Sequence, residues 1–226
     1  MRIWSTKNLE DIRHEYIEFD GEWYQAFGRP ERSGCWIIYG KSGQGKSSFA
    51  LQLTRKFDEM GMRVMYLTLE MGGCDDFVES VRDVGIHSEI NNIKWTDNAT
   101  IPELDEYLSK QRSPDVVIVD SIQYFEDQCG AKASEIIRLR KKYPSKIFIF
   151  LSHVDGREVD GKTAYQVKRD SFKRIHVEGF KATFIGRGKG GPRGYYVIWD
   201  KGYQRYWIED IKNNNSNGTE DKETDQ

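Results

Sequence analysis

The hydrophobic positions of this chain follow two distinct periods. Four runs are apolar almost without interruption: Trp36-Ile37-Ile38-Tyr39, Val64-Met65-Tyr66-Leu67-Thr68-Leu69, Val116-Val117-Ile118-Val119 and Ile147-Phe148-Ile149-Phe150-Leu151. Runs of this length, rich in β-branched and aromatic residues, predict strands covered on both faces. Between them apolar residues recur every three or four positions. Phe49, Ala50, Leu53, Phe57 and Met60 predict a helix stopped by Gly61, and Phe77, Val78, Val81 and Val84 predict another, capped by Asp75 and stopped by Gly85. Thr100-Ile101-Pro102-Glu103 has the form of a capping box ahead of Leu104, Tyr107 and Leu108, and a basic helix is expected over residues 134–143. Strands alternating with helices predict one α/β domain, over residues 34–210, with a mostly parallel central sheet flanked by helices.

The two ends read differently. Residues 1–33 are polar and aromatic, with a weak alternation at Tyr16-Ile17-Glu18-Phe19 before Asp20-Gly21. The expectation there is an arm or edge hairpin, packed on the core or reaching a neighbouring subunit. From Phe180 the chain reads as antiparallel β-hairpins, with strands from Ala182 to Ile185, Tyr195 to Trp199 and Tyr203 to Ile208. Residues 211–226 read as an acidic, disordered tail.

The first apolar run enters Gly40-Lys41-Ser42-Gly43-Gln44-Gly45-Lys46-Ser47, a complete G-x-x-x-x-G-K-[ST] sequence with a predicted strand before it and a predicted helix after it. Its glycines let backbone N–H groups wrap a phosphate, and the helix presents its positive end to the same anion. Lys46 would reach the β and γ phosphates of ATP and Ser47 would hold Mg2+, with Gly40, Lys41, Ser42, Gly43, Gln44, Gly45 and Ser48 completing the nucleotide-binding candidates. Each later buried strand ends in a polar group, at the edge where a doubly wound sheet binds ligands. Asp120 closes a Walker B run and suits the Mg2+ shell. Glu70 suits a general base polarising water, or is a solvated residue opening a loop; His153 suits a γ-phosphate sensor, or is structural.

Composition narrows this little. A formal charge of -2 over 226 residues gives no global signal for nucleic acid, so such binding would need a local patch. Lys162, Lys168, Arg169, Lys173 and Arg174 are the candidates, although Asp155, Glu158, Asp160 and Asp170 offset them and a solvated loop and amphipathic turn is the plainer reading. The cations of Arg187-Gly188-Lys189-Gly190-Gly191-Pro192-Arg193 suit phosphate, either on nucleic acid or as a finger completing a neighbour's site. Three scattered cysteines propose neither disulfides nor zinc, and no apolar run reaches the roughly 20 residues of a membrane span, so a cytoplasmic protein is expected.

These motifs resemble those of RecA-fold ATPases, in particular the ATPase domain of DnaB-type replicative helicases and of RadA (Sms). Leu67-Thr68-Leu69-Glu70-Met71 is similar to the DnaB S-L-E-M segment, whose Glu is the catalytic base. Val117-Ile118-Val119-Asp120-Ser121-Ile122-Gln123 resembles RadA's Walker B run, V-I-D-S-I-Q, and Leu151-Ser152-His153-Val154 its G-H-V. Arg187 to Gly194 resembles the K-x-R-x-G-P-T-G finger hairpin, with Arg187 and Lys189 in swapped order, and Tyr203-Gln204-Arg205-Tyr206 resembles the Y-T-R-F strand that follows. The resemblance spans about residues 34–208. It implies a RecA-like fold, ATP and Mg2+, Arg187 or Lys189 acting across a subunit interface, and Tyr203 and Arg205 at the nucleotide. It also implies a head-to-tail homo-oligomer, ring or filament, working on single-stranded DNA in replication, recombination or repair, as compact chains of phages and mobile elements do. DnaB's N-terminal helical domain and RadA's zinc motif are not recognised in the chain. The alternative is an ATP-switched loader or regulatory module with little turnover; a small-molecule kinase is weakened by Glu70 and the finger hairpin.

Overall fold

The computed structural model describes residues 3–186 and 190–209. Its sheet is built around β1 (Gly34–Tyr39), which leads into the loop of glycines and then α3 (Lys46–Glu59). Two short helices precede it, α1 (Thr6–Glu10) and α2 (Gly21–Phe27). There follow β2 (Val64–Thr68), α4 (Asp75–Asp83), β3 (Ile93–Thr96), α5 (Ile101–Ser109), β4 (Val116–Asp120), α6 (Ile122–Asp127), α7 (Ala133–Lys142) and β5 (Ile147–Ser152). A small antiparallel hairpin, β6 (Val154–Asp155) and β7 (Glu158–Val159), leads to α8 (Lys162–Asp170). Next come β8 (Lys173–Glu178), β9 (Lys181–Phe184), β10 (Tyr195–Val197), α9 (Asp200–Gln204) and a π-helical turn, Arg205–Glu209.

Eight strands form one sheet in the order β10-β9-β8-β1-β5-β4-β2-β3. From β8 to β3 neighbouring strands are parallel; β8, β9 and β10 are joined antiparallel. The strand ending at Asp120 is therefore not beside the strand that enters the loop: β5, ending at Ser152, lies between them.

The unbroken apolar runs are explained by two cores, one on each face. Trp36 and Ile38 of β1 pack with Tyr66, Ile118 and Ile149 against Phe49, Leu53 and Phe57 of α3. The alternate positions Cys35 and Ile37 pack with Leu67, Val117 and Phe148 against Leu104, Phe125, Leu139 and Val167 of α5 to α8. Because period-2 alternation places both sets in apolar cores, every position in the interior of these strands must be apolar, and polar residues appear only at their carboxyl ends. The capping box forms as read: the Glu103 carboxylate accepts from the Thr100 N–H at 2.8 Å.

Four readings are corrected. Asp20-Gly21 is not a hairpin turn. Asp20 is the N-cap of α2, and Trp23, Ala26 and Phe27 at helical spacing decide the period, with Ala26 and Phe27 fully buried. Tyr203 to Ile208 is not a strand: Tyr203, Tyr206 and Trp207 share the face of a helix instead, and buried Gly202 lets α9 pack on Phe180, where an added β-carbon would stand 2.4 Å from the ring. At α4 the N-cap is Cys74, and Asp75 is the first helical residue. The stretch 155–174, read as loop and turn, contains α8, whose Thr163, Ala164 and Val167 are buried. The hairpin of Arg187 and Lys189 and the tail at 211–226 lie outside the described residues. Among the described residues no helix is long and apolar enough to cross a membrane.

Candidate active site

The loop after β1 is fixed by its glycines. A β-carbon on Gly40 would lie 2.1 Å from the Val177 carbonyl oxygen, and Gly43 and Gly45 have φ of +73° and +99°, a region costly for other residues. Gln44 ties the loop to the turn between β8 and β9: its side-chain oxygen accepts from the Gly179 N–H at 2.7 Å, and its carbonyl accepts from the Phe180 N–H at 3.3 Å. Lys46, the first residue of α3, is 7 % exposed and donates to the Lys41 carbonyl at 2.9 Å. Burial lowers its pKa, and the nearby charges of Asp120 and Glu70 oppose that shift.

Asp120, at the end of β4, is 5 % exposed. Burial raises its pKa; hydrogen bonds from Tyr66 and Ser47 work against this, while the Glu70 charge adds to it. The Tyr66 hydroxyl donates to Oδ2 at 2.8 Å. Tyr66, itself fully buried, is pushed well above its usual range, so it stays a donor. The Asp120 carbonyl accepts from the N–H groups of Leu69 and Glu70 at 2.9 and 3.1 Å, which holds the turn after β2 against the end of β4. The Asp120–Ser121 peptide is cis. From the end of β5, His153 Nε2 meets Glu70 Oε2 at 3.1 Å, and both side chains remain about 30 % exposed (27 % and 32 %).

These groups line one cleft of about 240 Å³, with Ser42, Gly43, Gly45, Lys46, Ser47 and Ser48 on one wall and Glu70, Asp120, His153 and Phe180 around it. Ser48 and Phe180 are shared with an adjoining cleft of about 270 Å³ that reaches Gln52, Asp83 and Trp199. Lys41 and Gln44 face a third cleft, on the other side of the loop. The site thus gathers the loop, Glu70, Asp120 and His153. It does not gather Tyr203 and Arg205, which lie on α9 and the turn after it and line neither of the first two clefts. Arg187 and Lys189 fall outside the described residues.

The basic candidates do not share one open surface. Lys162 and Arg169 are exposed, but Lys168 pairs with Glu158 at 2.9 Å and lies over the Tyr39 ring, Lys173 lies over Phe184, and Arg174 donates to the Lys168 carbonyl. Sequence reasoning missed Tyr66, Gln123, Phe180 and Trp199. Tyr66 carried a weak signal, as a hydroxyl-bearing aromatic in the middle of a buried strand. Phe180 gave none: its φ of +57° and its place against Gly45 arise only from the fold.

A divalent cation fits this arrangement. Asp120 is buried, is disfavoured as an anion by burial, and sits beside the Ser47 hydroxyl, so a cation would compensate a charge the fold leaves strained. Among the described residues no cluster of three or more His, Cys, Asp or Glu forms a metal cage. That accords with Mg2+, which uses one or two protein oxygens and completes its shell with phosphate and water.

The strand order and the helices on both faces of the sheet give this chain a RecA-like α/β fold. No protein-family model and no curated protein sequence matches the chain. Among solved structures it is similar to the ATPase domain of G40P, with a TM-score of 0.51 and 13% identity over 70% of this chain and 78% of that one. At that identity the likeness is one of fold.

Proposed function

We propose that this chain is a Mg2+-dependent ATPase of the RecA/DnaB/RadA type, acting on single-stranded DNA as a head-to-tail homo-oligomer. One observation carries the reading: the phosphate loop, buried Lys46, Asp120 with Ser47, and the Glu70–His153 pair all line a single cleft. The backbone N–H groups of the loop and Lys46 bind the β and γ phosphates and stabilise the charge that develops there. Mg2+, held by Ser47 and Asp120, supplies further neutralisation of the phosphate oxygens when bound. Glu70 orients a water for in-line attack on the γ-phosphorus and takes its proton as the β–γ bridging bond breaks to leave ADP. His153, beside Glu70, stands where it can respond to the γ-phosphate. The nucleoside lies in the adjoining cleft, against Phe180 and Trp199, whose rings meet edge-to-face at 4.9 Å. In place of Tyr203 and Arg205, these two carry the base. Arg187 or Lys189 acts in trans.

The test is Glu70→Gln. ATP binding should persist while turnover is lost; wild-type turnover in this variant removes Glu70 from the mechanism.

A second reading, an ATP-switched module without direct DNA action, is favoured by the internal engagement of Lys168, Lys173 and Arg174. Hydrolysis that ignores single-stranded DNA at every protein concentration would select it.

A further inference from the structure

Gln123 stands in the first turn of α6, three residues past Asp120, and uses both ends of its amide. Nε2 donates to the Ser152 hydroxyl at 3.0 Å and to the Asp160 carbonyl at 2.8 Å, and Oε1 accepts from the His153 N–H at 3.4 Å. The Ser152 hydroxyl in turn donates to the His153 carbonyl at 2.9 Å. His153 and Asp160 are the two ends of the β6–β7 hairpin, whose base is closed by the Asp160 N–H donating to the His153 carbonyl at 3.0 Å. One side chain, anchored beside the strand that ends in Asp120, therefore grips both ends of that hairpin. The His153 ring then meets Glu70 at 3.1 Å.

The far end of the hairpin is also placed with purpose. Gly156, with φ of +61°, makes its turn, and Gly156 and Arg157 face Lys41 and Gln44 of the phosphate loop across a cleft of about 400 Å³. Neither Arg157 nor Lys41 has an ion pair among the described residues. The hairpin therefore approaches the loop at its tip and Glu70 at its base, and at that base Gln123 is the side chain that bonds both ends.

We propose that Gln123 is a positioning residue that makes the 154–159 hairpin part of the nucleotide site. Displacement of the hairpin is transmitted through Gln123 to His153 and so to the Glu70 carboxylate, and the hairpin sets the turnover rate without touching the nucleotide. The physical basis is stiffness: an amide bonded to three partners on β5 and the hairpin base cannot follow Asp160 without carrying the His153 N–H with it. A misplaced water-orienting carboxylate loses rate steeply while binding is untouched. The proposal rests on the ATPase reading above.

The test is hydrogen–deuterium exchange on the full chain, with and without Mg2+ and a non-hydrolysable ATP analogue, in wild type, Gln123→Ala and Gln123→Glu. The glutamate is isosteric; it keeps an oxygen for the His153 N–H and loses both donors, so it remains informative if the alanine variant folds poorly. In wild type the analogue should slow exchange over residues 153–161 by roughly threefold or more. Both variants should bind the analogue with nearly wild-type affinity and lose that slowing, and kcat should fall about tenfold at unchanged KM. Retained slowing in a folded variant, or loss of analogue affinity in step with kcat, overturns the coupling. A wild-type chain that binds and turns over ATP with no hairpin response overturns the coupling alone. A wild-type chain that binds no nucleotide overturns the ATPase reading as well.

Discussion

Gly40 and Gly43 stand three residues apart in one loop, yet different forces require them, and the difference can be measured without any activity. A β-carbon on Gly40 would meet the Val177 carbonyl oxygen at 2.1 Å and its carbon at 3.1 Å. Val177 is fully buried in β8, which pairs with β1 through Ile38↔Ile175 and Tyr39↔His176, so this oxygen cannot turn aside. Restoring an ordinary contact of about 3.3 Å requires the two strands to part by about 1.2 Å, which a core packed at crystal-like density resists. The cost belongs at the upper end of overpacking, about 3 kcal/mol. Around Gly43 nothing stands within 4 Å, and only its φ of +73° penalises a side chain, by about 1 kcal/mol. For a chain of this size each kcal/mol moves Tm by about 2–4 °C, so Gly40→Ala should lower Tm by roughly 6–12 °C and Gly43→Ala by roughly 2–4 °C. Thermal melts without nucleotide or Mg2+ make the comparison, because ligand binding then adds nothing to Tm. Equal shifts, or a larger shift for Gly43→Ala, would refute the packing of β8 against the loop.

Other sites give independent checks. Phe27 is 2 % exposed, with ring centroids 6.0 Å from Phe49 and 6.2 Å from Trp36, so Phe27→Ala should cost about 3–5 kcal/mol; a urea midpoint within error of wild type would mean that α2 is dispensable to the core. Burial pushes the Asp115 carboxyl up, but hydrogen bonds from the Arg63 side chain and N–H, with the charges of Arg63 and Arg32, outweigh it and hold the group below 3.8. A depressed carboxylate stabilises the fold above its unfolded pKa and loses that contribution as pH falls through its folded value. Asp115→Asn should therefore cost about 1 kcal/mol near neutral pH, discounted because the pair is partly exposed, and the gap in urea midpoints should narrow below pH 3.8; a constant gap counts against the ion pair. Trp199 is 52 % exposed at the rim of the adjoining cleft, and Trp199→Ala should raise KM for ATP severalfold with kcat little changed; an unaltered KM would place the base elsewhere.

The parts of the fold legible in the sequence were those where burial leaves no alternative. β1, β2, β4 and β5 are apolar through their interiors because cores lie on both faces, and the Thr100–Glu103 box states its helix in its own side chains. The edge pair β9 and β10 was legible, but β3 at the other edge and β8 inside the sheet were not. In β3 only Ile93 of four residues is fully buried, and in β8 the buried Ile175 and Val177 alternate with Lys173, Arg174, His176 and Glu178, which read as a charged surface. At both ends an aromatic-rich segment fits period 2 and period 3.6 equally in a short window, and the contact with Phe49 or Phe180 decided for the helix. At the site, the strand-end carboxylates were visible because strand ends are where an isolated acid is conspicuous. Tyr66 and Gln123 were not, since what they do depends on Asp120, Ser152 and Asp160, up to 54 positions away in the chain.

The site is also satisfied within itself. Lys46 donates to the Lys41 carbonyl, Asp120 accepts from Tyr66, and Glu70 is engaged by His153. These three groups already have internal partners, and under the ATPase reading a triphosphate would have to displace or share all of them. Lys46 would give up a backbone carbonyl for a phosphate, a favourable exchange because a charge-assisted bond replaces one to a neutral acceptor. The Glu70–His153 contact is different: under the proposed ATPase reading it would join the residue that orients water to the residue that responds to the γ-phosphate. Drawing His153 toward the phosphate would release Glu70 toward the water, so that the base becomes available only when the substrate is complete. Differential interaction of this kind, stronger with the triphosphate than with the diphosphate, is what turns binding into turnover. The anchoring of His153 through Gln123 to the 154–159 hairpin then adds a second element that can bias the same release.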